Sequence, residues 1–182
     1  MAEAQANYGG KIIIASRKLS AQGTEAGLKF AFETTHDYTK SRDNNSTATK
    51  SGTLNAPGSL ETKLSIDMVS NDSATLKMQQ DAIDSGEVME YWRIFTGIKG
   101  STAGKVKATY MQGTVTSYEE NADADDFATA SVEIAVNGKP VDGEVTFDAT
   151  ATDAQYAFTG LEVVTNPQLR IVTGKQIGRA HV

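Results

Sequence analysis

The segment with the most suggestive chemistry is the glycine-bounded run GSTAGK, from Gly100 to Lys105. A phosphate-binding loop has four residues between its two glycines, then a lysine, then a Ser or Thr whose hydroxyl reaches magnesium. Here only three residues separate the glycines, and Val106 occupies the hydroxyl position. The run therefore predicts a hairpin loop, and the alternative of a nucleotide hydrolase lacks its metal-binding side chain.

Other side chains that could do chemistry stand alone. His36 precedes Asp37, but neighbours on a strand point to opposite faces, so His36 is predicted to be a solvated surface residue. No pair of carboxylates lies in an apolar frame that would raise one pKa. Tyr91 and Trp92 could stack on a sugar, yet strand alternation places one ring in the core and the other on the surface. With no cysteine in the chain, we expect no catalytic residue, no cofactor and no metal ion.

Two charged segments suggest contacts with other molecules. The run EENADADD, residues 119–126, has five acidic side chains and no basic one, Glu119, Glu120, Asp123, Asp125 and Asp126. It predicts a solvated loop, with a calcium-binding or repulsive surface as the alternative, although the glycine and closing glutamate of an EF-hand are missing.

The second charged segment, residues 39–53, is polar and too long for a simple turn. Its charged side chains are Lys40, Arg42, Asp43 and Lys50, so it is basic in an acidic protein. We expect a protruding hairpin that contacts the acidic run of a neighbouring copy.

Composition restricts the class of protein. The chain has 182 residues, the size of one domain, with a net charge of −6. An acidic balance opposes a sequence-reading nucleic-acid binder, whose affinity comes from clustered Lys and Arg. No apolar run approaches the length of a membrane span, and the first 30 residues lack the pattern of a signal peptide.

Alternation with period two predicts strands with one buried face. In residues 60–68 the buried row is Leu60, Leu64, Ile66 and Met68, and in residues 128–136 it includes Val132 and Ile134. Further strands are predicted at 11–16, 28–35, 88–96, 105–115 and 144–147. The dipeptides Asn137-Gly138 and Asp142-Gly143 predict tight reversals between strands.

One segment has helical character. Residues 73–85 are strong helix formers, with Leu76 and Ile83 seven residues apart for packing on the sheet, a capping residue at 71–73, and Gly86 at the end. The predicted fold class is therefore mostly β with one α-helix (α+β), an antiparallel sheet with one wet face.

The end of the chain differs from its body. The last seven residues, QIGRAHV, resemble the translation of a sequencing-library adapter, and basic residues become frequent from about 166. We assign one domain to residues 1–160, an uncertain tail to 161–182, and an artefact to 176–182.

Read in order, the chain contains GKIIIASRK, AFETTHDYTKSRD, GTLNAPGSLETKLSIDM, the helix leading into GEVMEYWRIF, and KVKATYMQGTVTSYEENADADDFATASVEIAVNG followed by GEVTFDAT. This succession, which spans residues 10–158, resembles the major tail protein (tail tube protein) family of long-tailed siphophages that infect Gram-positive bacteria. After Gly160 the resemblance ends.

The resemblance implies a β-sandwich or barrel with one helix, six copies in a ring, and rings stacked in the virion tail with other tail proteins. Phage DNA would pass through the lumen without sequence-specific binding, and synthesis would take place in the host bacterial cytoplasm. The alternatives are a β-sandwich adhesin or carbohydrate-binding module, a ring-forming tail terminator, and a secretion-system tube protein.

Overall fold

The computed structural model describes residues 4–146. Its elements are β1 (Ile12–Lys18), β2 (Leu28–Lys29), β3 (Glu33–Thr49), β4 (Gly52–Val69), α1 (Ala74–Ser85), β5 (Met89–Lys99), β6 (Lys105–Asn121) and β7 (Thr129–Thr146). The predicted class, mostly antiparallel β with one helix, is confirmed. The predictions for Phe147, for the domain end at 160 and for residues 161–182 lie outside the described residues.

All seven strands belong to one antiparallel sheet in the order β2-β1-β5-β6-β7-β4-β3. The long strands β6 and β7 each extend through two halves of this sheet and have different neighbours in each half. Residues 129–136 of β7 pair with β4 on one side and with the last part of β6 on the other, whereas residues 137–146 pair only with the first part of β6. The same first part of β6 pairs with β5. Strands that pass between halves in this way let a sheet fold over its own core.

The two edges of the sheet come together at a seam, with β2 and the adjacent β1 on one side and β3 on the other. Phe30 N donates to Ile14 O at 3.1 Å, and Ile14 N donates to the Glu33 carboxylate at 3.2 Å. Across the same seam, Arg93 Nε of β5 donates to His36 Nε2 of β3 at 3.2 Å. The sheet is therefore curled into a barrel-like body whose seam is closed mainly by side chains.

The main core fills the inside of this curled sheet. Leu64, Ile66, Val132 and Ile134 are buried there, as the alternation predicts, together with side chains from β1, β5 and β6. The prediction that Leu60 is buried is wrong, since 38% of this residue is exposed. It lies beyond Thr62, the last residue of β4 that pairs with β7, so no strand flanks it on that side.

The helix begins and ends where its local sequence dictates. Ser73 Oγ accepts a hydrogen bond from Leu76 N at 3.3 Å, and Gly86 adopts a left-handed φ of +70° that closes the helix. Leu76 is buried in the main core and Ile83 packs against its margin. The helix therefore packs against the main core.

A second cluster of buried apolar side chains lies on the other side of β1, β5 and β6. The prediction that one ring of the Tyr91-Trp92 pair lies on the surface is therefore wrong. Trp92 packs in this second cluster with Ile94 and Tyr110, whereas Tyr91 belongs to the main core, and both Trp92 and Tyr91 are fully buried. One face of β5 was expected to be wet, but both faces are covered.

The same side of β5 contains a buried ion pair that sequence reasoning missed. Arg17 Nε donates to Glu90 Oε2 at 2.7 Å, and Tyr110 Oη and Gln22 Nε2 donate to Glu90 Oε1. Burial raises the pKa of Glu90, while the hydrogen bond from Tyr110 and the charge of Arg17 oppose that rise. Glu90 is thus a single buried carboxylate, paired with a cation and not with a second carboxylate.

The two predicted reversals in β7 are also wrong. Asn137-Gly138 and Asp142-Gly143 both lie inside the continuous strand. Residues 138–140 bulge opposite Met111, with Gly138 at a φ of +64°, so the glycine serves a bulge. Asp142 instead accepts a hydrogen bond from Thr109 Oγ1 of β6 at 2.8 Å.

Candidate assembly surfaces

The polar segment 39–53 forms part of a two-stranded ribbon that leaves the body. Here β3 and β4 continue pairing to Thr49 and Gly52, and neither strand has another neighbour between 41 and 61. We call residues 41–61 the arm. All its side chains are exposed. Its threonines have high β-propensity, and pairing satisfies backbone groups that an irregular loop would leave to water, so the strands extend further than predicted.

A bulge separates the root of the arm from its outer part. Gly58 and Ser59 of β4 lie opposite the single residue Asp43 of β3. A Cβ atom at position 58 would come within 2.9 Å of the Asp43 backbone oxygen, so only glycine fits without a shift. Arg42 Nη1 donates to the Gly58 carbonyl at 2.7 Å and holds this bulge.

The four charged residues predicted for the arm have different surroundings. Arg42 and Asp43 belong to the bulge, and the Lys40 ammonium lies at the root, 5.5 Å from the centre of the Tyr38 ring. Lys50 stands at the tip, where it forms no ion pair with any residue from 4 to 146. Lys50 is therefore the arm cation that is free to meet another molecule.

The acidic run joins β6 to β7. Glu119 and Glu120 lie at the end of β6 and accept hydrogen bonds from Asn121 and from Tyr118, respectively. Burial and the Glu120 carboxylate raise the pKa of Tyr118 to about 12.

The rest of the acidic run forms the connecting loop. Asp126 accepts from Phe127 N, whereas Asp123 and Asp125 are exposed and have no hydrogen-bond or ion-pair partner in the described part of the chain. We call residues 119–127 the acidic loop.

The arm and the acidic loop lie at opposite ends of β4. The arm precedes Thr62, while Val69 at the other end pairs with Thr129 directly after the acidic loop. A ladder of eight residue pairs separates them, about 25 Å at 3.3 Å per residue. One end of the subunit is therefore basic at its tip and the other end acidic.

The outer face of β3, β4, β7 and β6 is polar and acidic. Its rows follow from the pairing register, because directly paired residues share a face. The charged members are Asp37, Glu61, Lys63, Asp67, Glu119 and Glu133. Five carboxylates and one lysine share this face, which we call the acidic face.

The glycine-bounded run is the predicted hairpin loop, between β5 and β6. The Glu144 carboxylate accepts hydrogen bonds from Ser101 N, from Ser101 Oγ at 2.7 Å and from Thr102 N at 3.2 Å. These bonds hold the pKa of Glu144 at about 2. The loop's amides thus already bind a carboxylate of the same chain where a nucleotide phosphate would bind.

The prediction that His36 is a solvated surface residue is wrong. The side chain of His36 lies in the seam. Its Nδ1 lies 2.5 Å from Glu33 Oε1, and its Nε2 lies 3.2 Å from Arg93 Nε. Burial lowers the pKa of Arg93. The arrangement joins strands and leaves no free imidazole nitrogen for a substrate.

Two absences concern residues 4–146. No group of three His, Cys, Asp or Glu side chains there is arranged to hold a metal ion, the acidic loop included. No helix in that range has the length and apolar character that crossing a membrane requires.

Several solved structures with a similar fold come from tails or tubes. The SPP1 tail tube subunit superposes with a TM-score of 0.67 at 17% identity, covering 94% of this chain and 88% of that one. The tail of an empty gene transfer agent particle, refined with C6 symmetry, gives a TM-score of 0.59 at 15% identity, covering 75% and 98%. A contractile injection system sheath-tube complex gives 0.54 at 14%, covering 77% and 93%.

The class of fold is thus the curled antiparallel β-sheet with one helix that the SPP1 tail tube subunit also has. The chain belongs to the phage tail tube protein family, whose sequence model matches residues 6–142. It is a structural subunit of the phage tail tube and hence a component of the virion. A comparison with curated protein sequences gave no significant match.

Proposed function

We propose that six copies of this chain form a ring, and that rings stack head to tail into the tube of a long-tailed siphophage infecting a Gram-positive bacterium. The chain is made in the host cytoplasm, joins other tail proteins in the virion and catalyses no reaction. The placement of the arm and the acidic loop at opposite ends of β4 carries this proposal, because unlike ends generate a continuing stack. The fold shared with the SPP1 tail tube subunit is consistent with stacking into a tube.

The inter-ring contact involves the arm of one copy and the acidic loop of the next. Among residues 4–146, Lys50 at the tip has no ion-pair partner, and Asp123 and Asp125 have no hydrogen-bond or ion-pair partner. Single exposed ion pairs are weak and screened by salt, but ring symmetry repeats each contact six times.

The two side chains predicted for the adhesin alternative are not at the surface. Trp92 and Tyr91, the side chains that would stack on a glycan, are both fully buried.

The first test is assembly of the purified protein. We expect negative-stain electron microscopy to show tubes of constant diameter with six-fold end views, whose number rises with protein concentration. High salt should reduce tube growth because it screens the inter-ring charges. Single rings that never elongate would favour a tail terminator, and a monomer at every concentration would contradict the proposal.

The acidic face lines the lumen in this proposal. Its carboxylates would repel the phosphates of passing DNA, so that DNA slides without adhering. The opposite face of the same strands packs in the buried core. Only the acidic face of these strands is therefore available to line the lumen.

Replacing Asp37 and Glu133 with lysine should leave tubes intact but make them retain DNA. These two exposed residues lie in one row across the sheet, separated by Ser65. Tubes assembled with short duplex DNA would be pelleted and the bound DNA measured. The matched control is Asp81→Lys with Asp84→Lys on the exposed side of α1, and equal DNA retention by the two variants would refute the lumen assignment.

A further inference from the structure

Two large apolar side chains are exposed at the two ends that stacking would bring together. Leu54 in the arm is 66% exposed and Phe127 in the acidic loop is 79% exposed. Neither belongs to the two core clusters. Exposed apolar groups of this size are typical of contact sites when polar residues surround them.

The surroundings of the two side chains are complementary in charge. Leu54 lies four residues from Lys50, on a stretch of the arm, 44–57, that has no acidic residue. Phe127 follows directly after the acidic run. An apolar centre with a charged rim is the usual anatomy of a protein interface.

The arm is long enough for the contact. Leu54 lies eight residues before Thr62, about 26 Å at 3.3 Å per residue. In a head-to-tail stack, the acidic-loop end of the next copy lies at the junction from which the arm projects. The arm is therefore long enough to reach it.

We propose that Leu54 of one copy packs against Phe127 of a copy in the next ring, with Lys50 beside Asp123 and Asp125 of that copy. The inference rests on the proposed stacking and adds the apolar anchor that charge alone does not supply. Phe32 is the competing partner, because it is 63% exposed and lies at the same end, where its carbonyl accepts from Val69 N.

The absence of cysteine from the chain makes the contact directly testable. A variant with Leu54→Cys and Phe127→Cys would be assembled into tubes, oxidised with copper phenanthroline and run on a non-reducing gel. Each copy can then link to one above and one below, so we expect a ladder of covalent multimers from tubes and almost none from dilute protein.

The matched control is Leu54→Cys with Phe32→Cys. A ladder from this pair as strong as that from the Phe127 pair would overturn the inference, and so would well-formed Leu54/Phe127 cysteine tubes that yield only monomer. Failure of the unsubstituted protein to form tubes would instead contradict the proposed function.

A second measurement covers the case in which the cysteine variants do not assemble. Phe127→Leu keeps an apolar side chain, whereas Phe127→Asp places another charge at the contact. We expect the critical concentration for tube growth to stay within about twofold for Phe127→Leu and to rise about tenfold or more for Phe127→Asp. Both should melt like the unsubstituted protein, and normal growth of Phe127→Asp would refute the contact.

Discussion

Replacing Ile134 with aspartate is expected to abolish soluble expression of the folded protein. Ile134 is 1% exposed and lies in the middle of the sheet, paired with Leu64 of β4 and with Val115 of β6. Its neighbours in the main core are buried apolar side chains. An aspartate there would be an unpaired buried charge, costing several kcal/mol against a total stability of about 5–15 kcal/mol.

Two control variants separate the effect of a buried charge from the effect of losing part of the isoleucine side chain. Glu133→Asp changes the exposed neighbour on the opposite face and should be close to neutral, while Ile134→Val should cost only about 1 kcal/mol. Soluble yield and thermal unfolding by circular dichroism would be measured for all three. If Ile134→Asp melts at the same temperature as Glu133→Asp, the assignment of residue 134 to the buried face is wrong.

Removal of the outer arm is expected to abolish tube growth without destabilising the subunit. The deletion would replace residues 44–57 with an Asn-Gly turn, leaving the bulge at Asp43 and Gly58 in place. Every deleted side chain is exposed, so the core clusters remain complete. Loop length affects chain-closure entropy only weakly, and the melting temperature of the monomer should change little.

Lys50→Ala provides the graded control for the deletion. It removes the free cation but keeps the ribbon and Leu54, so growth should be slowed and become less sensitive to salt. Light scattering and electron microscopy would follow assembly of both variants. Tubes of normal length from the deletion variant would show that the arm is not an inter-ring element.

The parts of the fold that were predicted correctly depend on local signals. The alternation that buries Ile66 and Val132 is a period that a sheet with one wet face must have. The helix limits follow from Ser73 and Gly86, whose capping roles require only neighbouring residues.

The parts that were missed depend on contacts between distant segments. Arg17 and Glu90 are separated by 73 positions, and His36 and Arg93 by 57, so nothing in their local sequence indicates that they meet. Asn137-Gly138 suits a turn and a bulge equally well, and pairing with β6 determines the outcome. Leu60 continues the apolar alternation, but the flanking strand that would cover it has already diverged.

The pairing of β4 with β7 has a mechanical consequence for a long tail. Hydrogen bonds in an antiparallel ladder run perpendicular to the strands. A pull on the arm along β4 would therefore load all eight residue pairs from 62–136 to 69–129 in shear at the same time. A strand peeled from its end breaks its bonds one after another, whereas this geometry makes them resist together. When the tail bends or stretches, the force on the arm would thus act on the subunit body along β4, the direction in which the β4–β7 ladder resists best.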